Sequence, residues 1–277
     1  MSFGPLVDSD WLRDELGTPA LRVIDCRWQL GQPGAGRAAY LEGHIPGAAF
    51  LDLDTDLSDP PGERGRHPLP DPARFEASVR AAGVSGDTRV VAYDEGGSGG
   101  AARLWWLLRH FGHELVAVLD GGIGAWRDAG GTLTPGEEPA PPPGAFTLGE
   151  LTGDTAGADE IEARLESGAP LALVDARAAE RYAGSREPID PRAGHIPGAT
   201  NVPFAELAPA GRYLSPAELR ARLGGDGREL VAYCGSGVSA CTVILAAELA
   251  GVQARLYPGS WSEWCARGGE VEAGTSG

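Results

Sequence analysis

The chain has 277 residues, 42% of them apolar, with 42 glycines and 22 prolines, a length that suits two domains better than one core. Its net charge is −16 and all 23 basic residues are arginines, so nucleic acid and membrane surfaces are not expected partners, and Schiff-base or P-loop lysine chemistry is excluded. No apolar run reaches transmembrane length, and the stretch from Met1 to Asp8 lacks the basic start and apolar core of a secretion signal, which predicts a cytoplasmic protein.

In chain order, the apolar run Arg22-Val-Ile-Asp-Cys-Arg27 reads as a strand, and Glu42-Gly-His-Ile-Pro-Gly-Ala48 as a turn. A polar stretch around Asp52-Leu-Asp-Thr-Asp56 and Arg64-Gly-Arg-His-Pro-Leu-Pro70 follows. A helix is predicted from Pro72 to Ala82, a strand at Val90-Val-Ala-Tyr-Asp94, a glycine loop to Gly100, a helix from Ala101 to Phe111, and the block Leu119-Asp-Gly-Gly-Ile-Gly-Ala-Trp126. Proline-rich Pro135-Gly-Glu-Glu-Pro-Ala-Pro-Pro-Pro-Gly144 reads as an interdomain linker, because proline lacks an N–H donor and favours extended backbone.

Beyond the linker the pattern starts again, with helices predicted from Ala158 to Glu166 and from Pro216 to Leu223. Ala172-Leu-Val-Asp-Ala-Arg177, Ala193-Gly-His-Ile-Pro-Gly-Ala199, Leu230-Val-Ala-Tyr-Cys234 and Tyr257-Pro-Gly-Ser-Trp-Ser-Glu-Trp264 answer the four earlier blocks in the same order. The chain is therefore read as a duplicated domain: residues 1–134, a linker over 135–146, and residues 147–277. Short Val- and Leu-rich runs alternating with helical stretches predict an α/β fold, each copy a mostly parallel sheet flanked by helices, with ligands at the carboxyl ends of the strands.

Asp94 and Cys234 occupy those ends. Cys234-Gly-Ser-Gly-Val-Ser-Ala240 leads into a helix-like stretch, Cys241 to Ala250. A helix N-terminus and convergent amides stabilise a thiolate, and the loop glycines let the amides of Gly235, Gly237, Val238 and Ser239 curl inward, so Cys234 is a nucleophile candidate within an anion cradle. An inert buried cysteine is the alternative for the loop taken alone. Asp94 cannot serve as a sulfur nucleophile, and its loop is expected to be retained for packing. Cys26, Cys234, Cys241 and Cys265 lack metal-ligand spacing, so no metal is expected. Cys26 and Cys241 are expected bystanders, whereas Cys265, if exposed, offers a redox role. Histidines 44 and 195 recur in both copies although only one copy has a nucleophile, which points to a structural role.

The paired Gly-His-Ile-Pro-Gly-Ala blocks, the strand–Cys–loop–helix and the run from Leu256 to Trp264 resemble the two-domain rhodanese-like sulfurtransferases over nearly the whole chain. Two branches make up that family, the thiosulfate and the 3-mercaptopyruvate sulfurtransferases. The resemblance implies a C-terminal copy whose cysteine, here Cys234, carries sulfur as a persulfide, and an inactive N-terminal copy. In the mercaptopyruvate branch an aspartate and a histidine join the loop serine in a proton relay; the matching positions are Asp54, His67 and Ser236, with Asp52 the less favoured aspartate. The first copy is longer by 11 residues between His44 and Asp94 than the second between His195 and Cys234, counting 50 positions against 39, and this surplus is expected to reach towards Cys234.

For substrate binding, the resemblance points to Arg181. Ile189 or Asp190 falls near the family's second arginine, with Arg186 or Arg192 as substitutes. Arg177, mirrored by Arg27, reads as structural. The thiosulfate branch has basic residues directly after the cysteine. Their absence here weakens binding of a dianion by about a kcal/mol or more each, which favours 3-mercaptopyruvate. The implied acceptors are cyanide, a thiol or a thioredoxin-like dithiol, and no cofactor is implied. A thiosulfate:cyanide activity and a non-catalytic sulfur-binding module remain as alternatives. A phosphatase is disfavoured because residues 234 to 240 contain no arginine to grip phosphate.

Overall fold

The computed structural model describes residues 3–224 and 229–274 and divides the chain into two compact units. The first comprises the residues up to Asp59, Leu69–Gly153 and Ala210–Tyr213; the second comprises Pro60–Pro68, Asp154–Pro209 and the residues from Leu214 onward.

In the first unit, strands β1 (Leu6–Val7), β2 (Leu21–Asp25), β3 (Ala49–Phe50), β4 (Arg89–Tyr93) and β5 (Val116–Leu119) form a parallel sheet in the order β1-β5-β4-β2-β3. Helices α1 (Ser9–Glu15), α2 (Ala35–Glu42), α3 (Pro72–Ala81) and α4 (Gly100–His110) connect the strands, and α5 (Gly122–Asp128) follows β5. Strands β4 and β5 are buried along nearly their whole length, which is why they read as unbroken apolar runs rather than alternating ones. Helix α3 starts where Asp71 accepts the Arg74 N–H and Pro72 occupies the first turn.

The second unit repeats this plan with α6 (Ala158–Ser167), β6 (Ala172–Asp175), α7 (Ala179–Tyr182), β7 (Thr200–Asn201), α8 (Phe204–Leu207), α9 (Pro216–Leu223), β8 (Leu230–Tyr233), α10 (Ala240–Ala250), β9 (Ala254–Leu256) and α11 (Ser260–Arg267). Its parallel sheet runs β7-β6-β8-β9. Among the described residues no strand corresponds to β1, but Thr155 makes a parallel bridge to Leu256 at that edge.

The domain boundaries differ from those expected at 134 and 146. The proline-rich segment packs on the first unit: Gly144 N–H donates to Arg80 O, Phe146 N–H to Val84 O, and the Phe146 ring is buried. With prolines supplying no donors, the few N–H groups in the segment anchor it, and the units divide at Gly153 and Asp154. The polar surplus of the first copy also splits, Pro60–Pro68 belonging to the second unit.

Each unit carries the same buried polar cluster. Arg27 donates through Nε and Nη2 to Asp25 and on to Gly43 O, while the Tyr93 hydroxyl donates to Asp25 at 2.7 Å. Arg177 does the same with Asp175 and Gly194 O. The hydroxyls of Tyr93 and Tyr233 each accept the N–H of the isoleucine in the His-Ile-Pro turn. Burial, reinforced by the aspartate beside it, pushes the hydroxyl pKa of each tyrosine upward, so both remain protonated. The turn histidines are structural as well. His44 Nδ1 meets Tyr40 O at 2.9 Å and stacks on the Tyr40 ring; His195 Nδ1 meets Tyr182 O at 2.8 Å and stacks on Tyr182. Removing one partner of such a buried ion pair strands the other, so Arg177→Ala is expected to cost about 3–5 kcal/mol in urea unfolding, and Arg27→Ala a similar amount. A loss well under a kcal/mol would show that the pair is not a keystone of its unit.

Candidate active site

Strand β8 delivers Cys234, 3% exposed, to the mouth of its loop. Its Sγ accepts the Gly237 N–H at 3.1 Å and lies 3.5 Å from the Ser236 N. Gly237 makes this possible in two ways: its φ of +79° is left-handed, and a Cβ there would stand 2.3 Å from Pro258 O. Cys234 O accepts the Trp261 N–H at 3.0 Å, and Gly235 O the Ser262 N–H at 3.0 Å, fastening the loop to the start of α11. Among the described residues, the N–H groups of Gly235, Val238 and Ser239 have no acceptor. They remain available to an incoming anion.

The first unit builds the same turn around a carboxylate. Asp94 Oδ1 accepts the N–H of Gly96 at 2.8 Å and of Gly97 at 3.2 Å, and Oδ2 accepts that of Ala101 at 3.2 Å. Positions 96 and 97 stand where 236 and 237 stand relative to Cys234. One turn therefore solvates an aspartate in one copy and a sulfur atom in the other.

Ser260 was not singled out from sequence. It is a non-glycine residue at φ 53°, where the first copy has Gly122 at φ 57°. Its hydroxyl donates to Tyr257 O at 2.9 Å and accepts the Cys234 N–H at 3.1 Å, which offsets the backbone strain and pins the cysteine. Pairing Gly122 with Ser260 in the repeat was the signal that could have revealed it.

His67 lies in the segment that joins the second unit, and its Nδ1 sits 2.7 Å from Ser236 Oγ, both side chains being buried. The imidazole can thus exchange a proton with the serine hydroxyl beside the cysteine. Asp54 belongs to the first unit, where its Oδ1 accepts the Trp28 indole N–H at 3.1 Å. Asp52 is committed to its own turn, accepting the N–H groups of Asp54 and Thr55.

Arg181 lies over Gly235: a Cβ on that glycine would meet Arg181 Nη1 at 3.4 Å and Arg66 Nη2 at 3.0 Å. Arg186, by contrast, is exposed, and its backbone N–H bond to Glu180 O does not involve the loop. Arg192 donates to Gly269 O. Nothing in the local sequence marks Arg66, or a binding role for Asp190 or Glu187.

The remaining thiols are screened. Cys241 Sγ donates to Gly237 O at 3.3 Å within the core. Cys26 is buried, and burial together with Asp25 and Asp94 raises its thiol pKa. Cys265 is 8% exposed and pushed up to about 11 by burial, which removes the redox role suggested for an exposed thiol. Trp261 and Trp264 are core residues, Trp261 lying under the Arg177 guanidinium.

The rhodanese-like domain model matches residues 8–129 and again 157–267. The chain belongs to the two-domain rhodanese-like sulfurtransferases. It is 47% identical over 278 residues to a Pseudomonas aeruginosa protein named "Probable 3-mercaptopyruvate sulfurtransferase", covering 95% of this chain and 96% of that one. A Mycobacterium tuberculosis protein provisionally named a thiosulfate sulfurtransferase is 43% identical over 258 residues, covering 90% of this chain and 89% of the other. Among solved structures, SseA from Escherichia coli, described as a 3-mercaptopyruvate sulfotransferase, superposes with a TM-score of 0.82 at 35% identity, covering 94% of this chain and 99% of that chain. No helix among the described residues is long and apolar enough to cross a membrane.

Two expectations test this geometry. Gly237→Ala should lower sulfur transfer about a hundredfold while circular dichroism stays unchanged, because the added methyl displaces an amide from the sulfur. Native activity would show that the loop is not held by that contact. Alkylation of the folded protein near about pH 8 should modify Cys234 and spare Cys26, Cys241 and Cys265, as read by peptide mass spectrometry.

Proposed function

We propose that this enzyme transfers sulfur from 3-mercaptopyruvate to a thiophilic acceptor such as cyanide, a thiol or a dithiol protein, through a persulfide on Cys234. The observation that carries the reading is the Ser236–His67 pair at 2.7 Å beside a cysteine whose sulfur is met by the loop amides. In the first half-reaction the Cys234 thiolate attacks the donor sulfur, the donor's carbon–sulfur bond breaks, and that bond pair leaves as the enolate of pyruvate. The donor's thiol proton travels through Ser236 and His67 to the enolate carbon, leaving pyruvate and a Cys234 persulfide anion. The vacant amides of Gly235, Val238 and Ser239 take up negative charge on the outer sulfur. In the second half-reaction the acceptor attacks that outer sulfur and releases the Cys234 thiolate. No redox partner is needed with cyanide, since thiocyanate carries the sulfur away.

Thiosulfate as principal donor is the second reading, supported by the name of the mycobacterial relative. A sulfite leaving group needs no proton, so a proton relay would have no task with that donor. This chemical difference favours mercaptopyruvate.

The test compares kcat/KM for the two donors with cyanide as acceptor. The proposal expects mercaptopyruvate to lead by orders of magnitude and Cys234→Ser to be inactive. His67→Ala should lower kcat about a hundredfold or more with mercaptopyruvate and leave thiosulfate turnover nearly unchanged. A thiosulfate preference in the wild type would overturn the donor assignment.

A further inference from the structure

Arg181 is the arginine that resemblance assigns to the donor, yet its fork is already taken. Its Nε donates to Glu187 Oε2 at 3.1 Å and its Nη2 to Glu187 Oε1 at 2.9 Å, with Nη2 also reaching Asp190 Oδ2 at 2.9 Å. Burial works against the charge on Glu187, but N–H donors from Asp190, Arg181 and Ile189 outweigh it and hold the carboxyl below its ordinary value. Glu187 therefore stays ionised and keeps its hold on Arg181. Among the described residues only Nη1, the nitrogen over Gly235, is left for a ligand.

Arg66 is arranged in the opposite way. Its Nη1 donates to the other oxygen of Asp190 at 2.6 Å, while among the described residues Nε and Nη2 have no acceptor and Nε is buried. These two nitrogens share one edge of the guanidinium plane, the edge that meets a carboxylate with two parallel hydrogen bonds. Nη2 lies beside Gly235, and the Arg66 backbone N–H is fixed by Ser262 Oγ at 3.0 Å. A buried donor left unpaired is costly, and an anionic ligand would relieve that cost. Asp190, buried between the two arginines, bridges them with one oxygen each.

We propose that Arg66 is the site's second anion-binding guanidinium, offering its Nε–Nη2 edge, together with Arg181 Nη1, to the anionic group of the sulfur donor, the carboxylate of mercaptopyruvate or the sulfonate oxygens of thiosulfate, with Asp190 as the positioning residue. Arg186 and Arg192 take no part in it. The inference rests on Cys234 being the sulfur carrier but not on which donor wins. Two carboxylates, Glu187 and Asp190, balance Arg66 and Arg181, so the clamp supplies directed hydrogen bonds rather than surplus positive charge, which suits a monoanion better than a dianion.

The test measures steady-state kinetics of Arg66→Gln, Arg66→Lys and Asp190→Asn with both donors, and separately the single-turnover discharge of preformed Cys234 persulfide to cyanide. Arg66→Gln is expected to raise the donor KM about tenfold to a hundredfold, with a smaller change in kcat and unchanged discharge. Arg66→Lys keeps the charge but not the planar edge, so its KM should also rise; it provides the reading if the Gln variant does not fold. Asp190→Asn should raise KM by less than Arg66→Gln. Wild-type KM for both donors in a folded Arg66 variant would overturn the inference, and would leave the mercaptopyruvate reading standing if the wild type still prefers that donor. A wild type that prefers thiosulfate, with its KM raised in Arg66→Gln, would remove the donor reading and uphold the clamp.

Discussion

The turn that leaves each central strand aims backbone N–H groups at a single side chain, and the chemistry of the molecule depends on what stands there. Asp94 fills its own turn with a carboxylate that accepts three N–H groups. Cys234 puts a single sulfur atom in the equivalent place, accepting one amide at 3.1 Å with a second at 3.5 Å. A carboxylate satisfies the turn permanently and closes it to ligands. A sulfur leaves neighbouring amides vacant, and those amides suit an anionic sulfur species better than a neutral one. Duplication thus produced one turn that is finished and one that is open.

Holding that open turn requires rigid surroundings. The Asp175–Arg177–Tyr233 cluster ties the ends of β6 and β8 to the His-Ile-Pro turn, and the Ser260 hydroxyl locks the Cys234 backbone. Both clusters are buried and fully hydrogen-bonded at their centres, a condition under which polar groups specify one arrangement rather than weaken the core. The first unit keeps the Asp25–Arg27–Tyr93 version although its turn is closed, consistent with a structural rather than chemical task.

Much of this was legible in the sequence because the repeat supplied its own internal control. A feature present in both copies, such as Arg27 with Arg177 or His44 with His195, could be read as structural, and a feature present in one, such as Cys234, as chemical. The parallel sheets followed from unbroken apolar runs, and the Ser236–His67 pairing from the resemblance, although 169 residues separate the two. What escaped was of another kind. Arg66 and Asp190 lie 124 positions apart, and a carboxylate at 190 looked like the loss of an arginine. In the fold that carboxylate draws in a guanidinium from elsewhere in the chain, a substitution by charge complementarity that no local pattern records. The proline-rich segment misled for a related reason: its composition favours extended backbone, which can serve as a tether but here lies packed against the first unit.

The central claim is that Cys234 carries the sulfur. Intact-protein and peptide mass spectrometry after brief exposure to 3-mercaptopyruvate without an acceptor tests it most directly. A gain of one sulfur atom is expected, located on the peptide containing Cys234, abolished in Cys234→Ser and discharged by cyanide. Sulfur found on Cys26, Cys241 or Cys265, or turnover with no sulfur on Cys234 at any time, would contradict it.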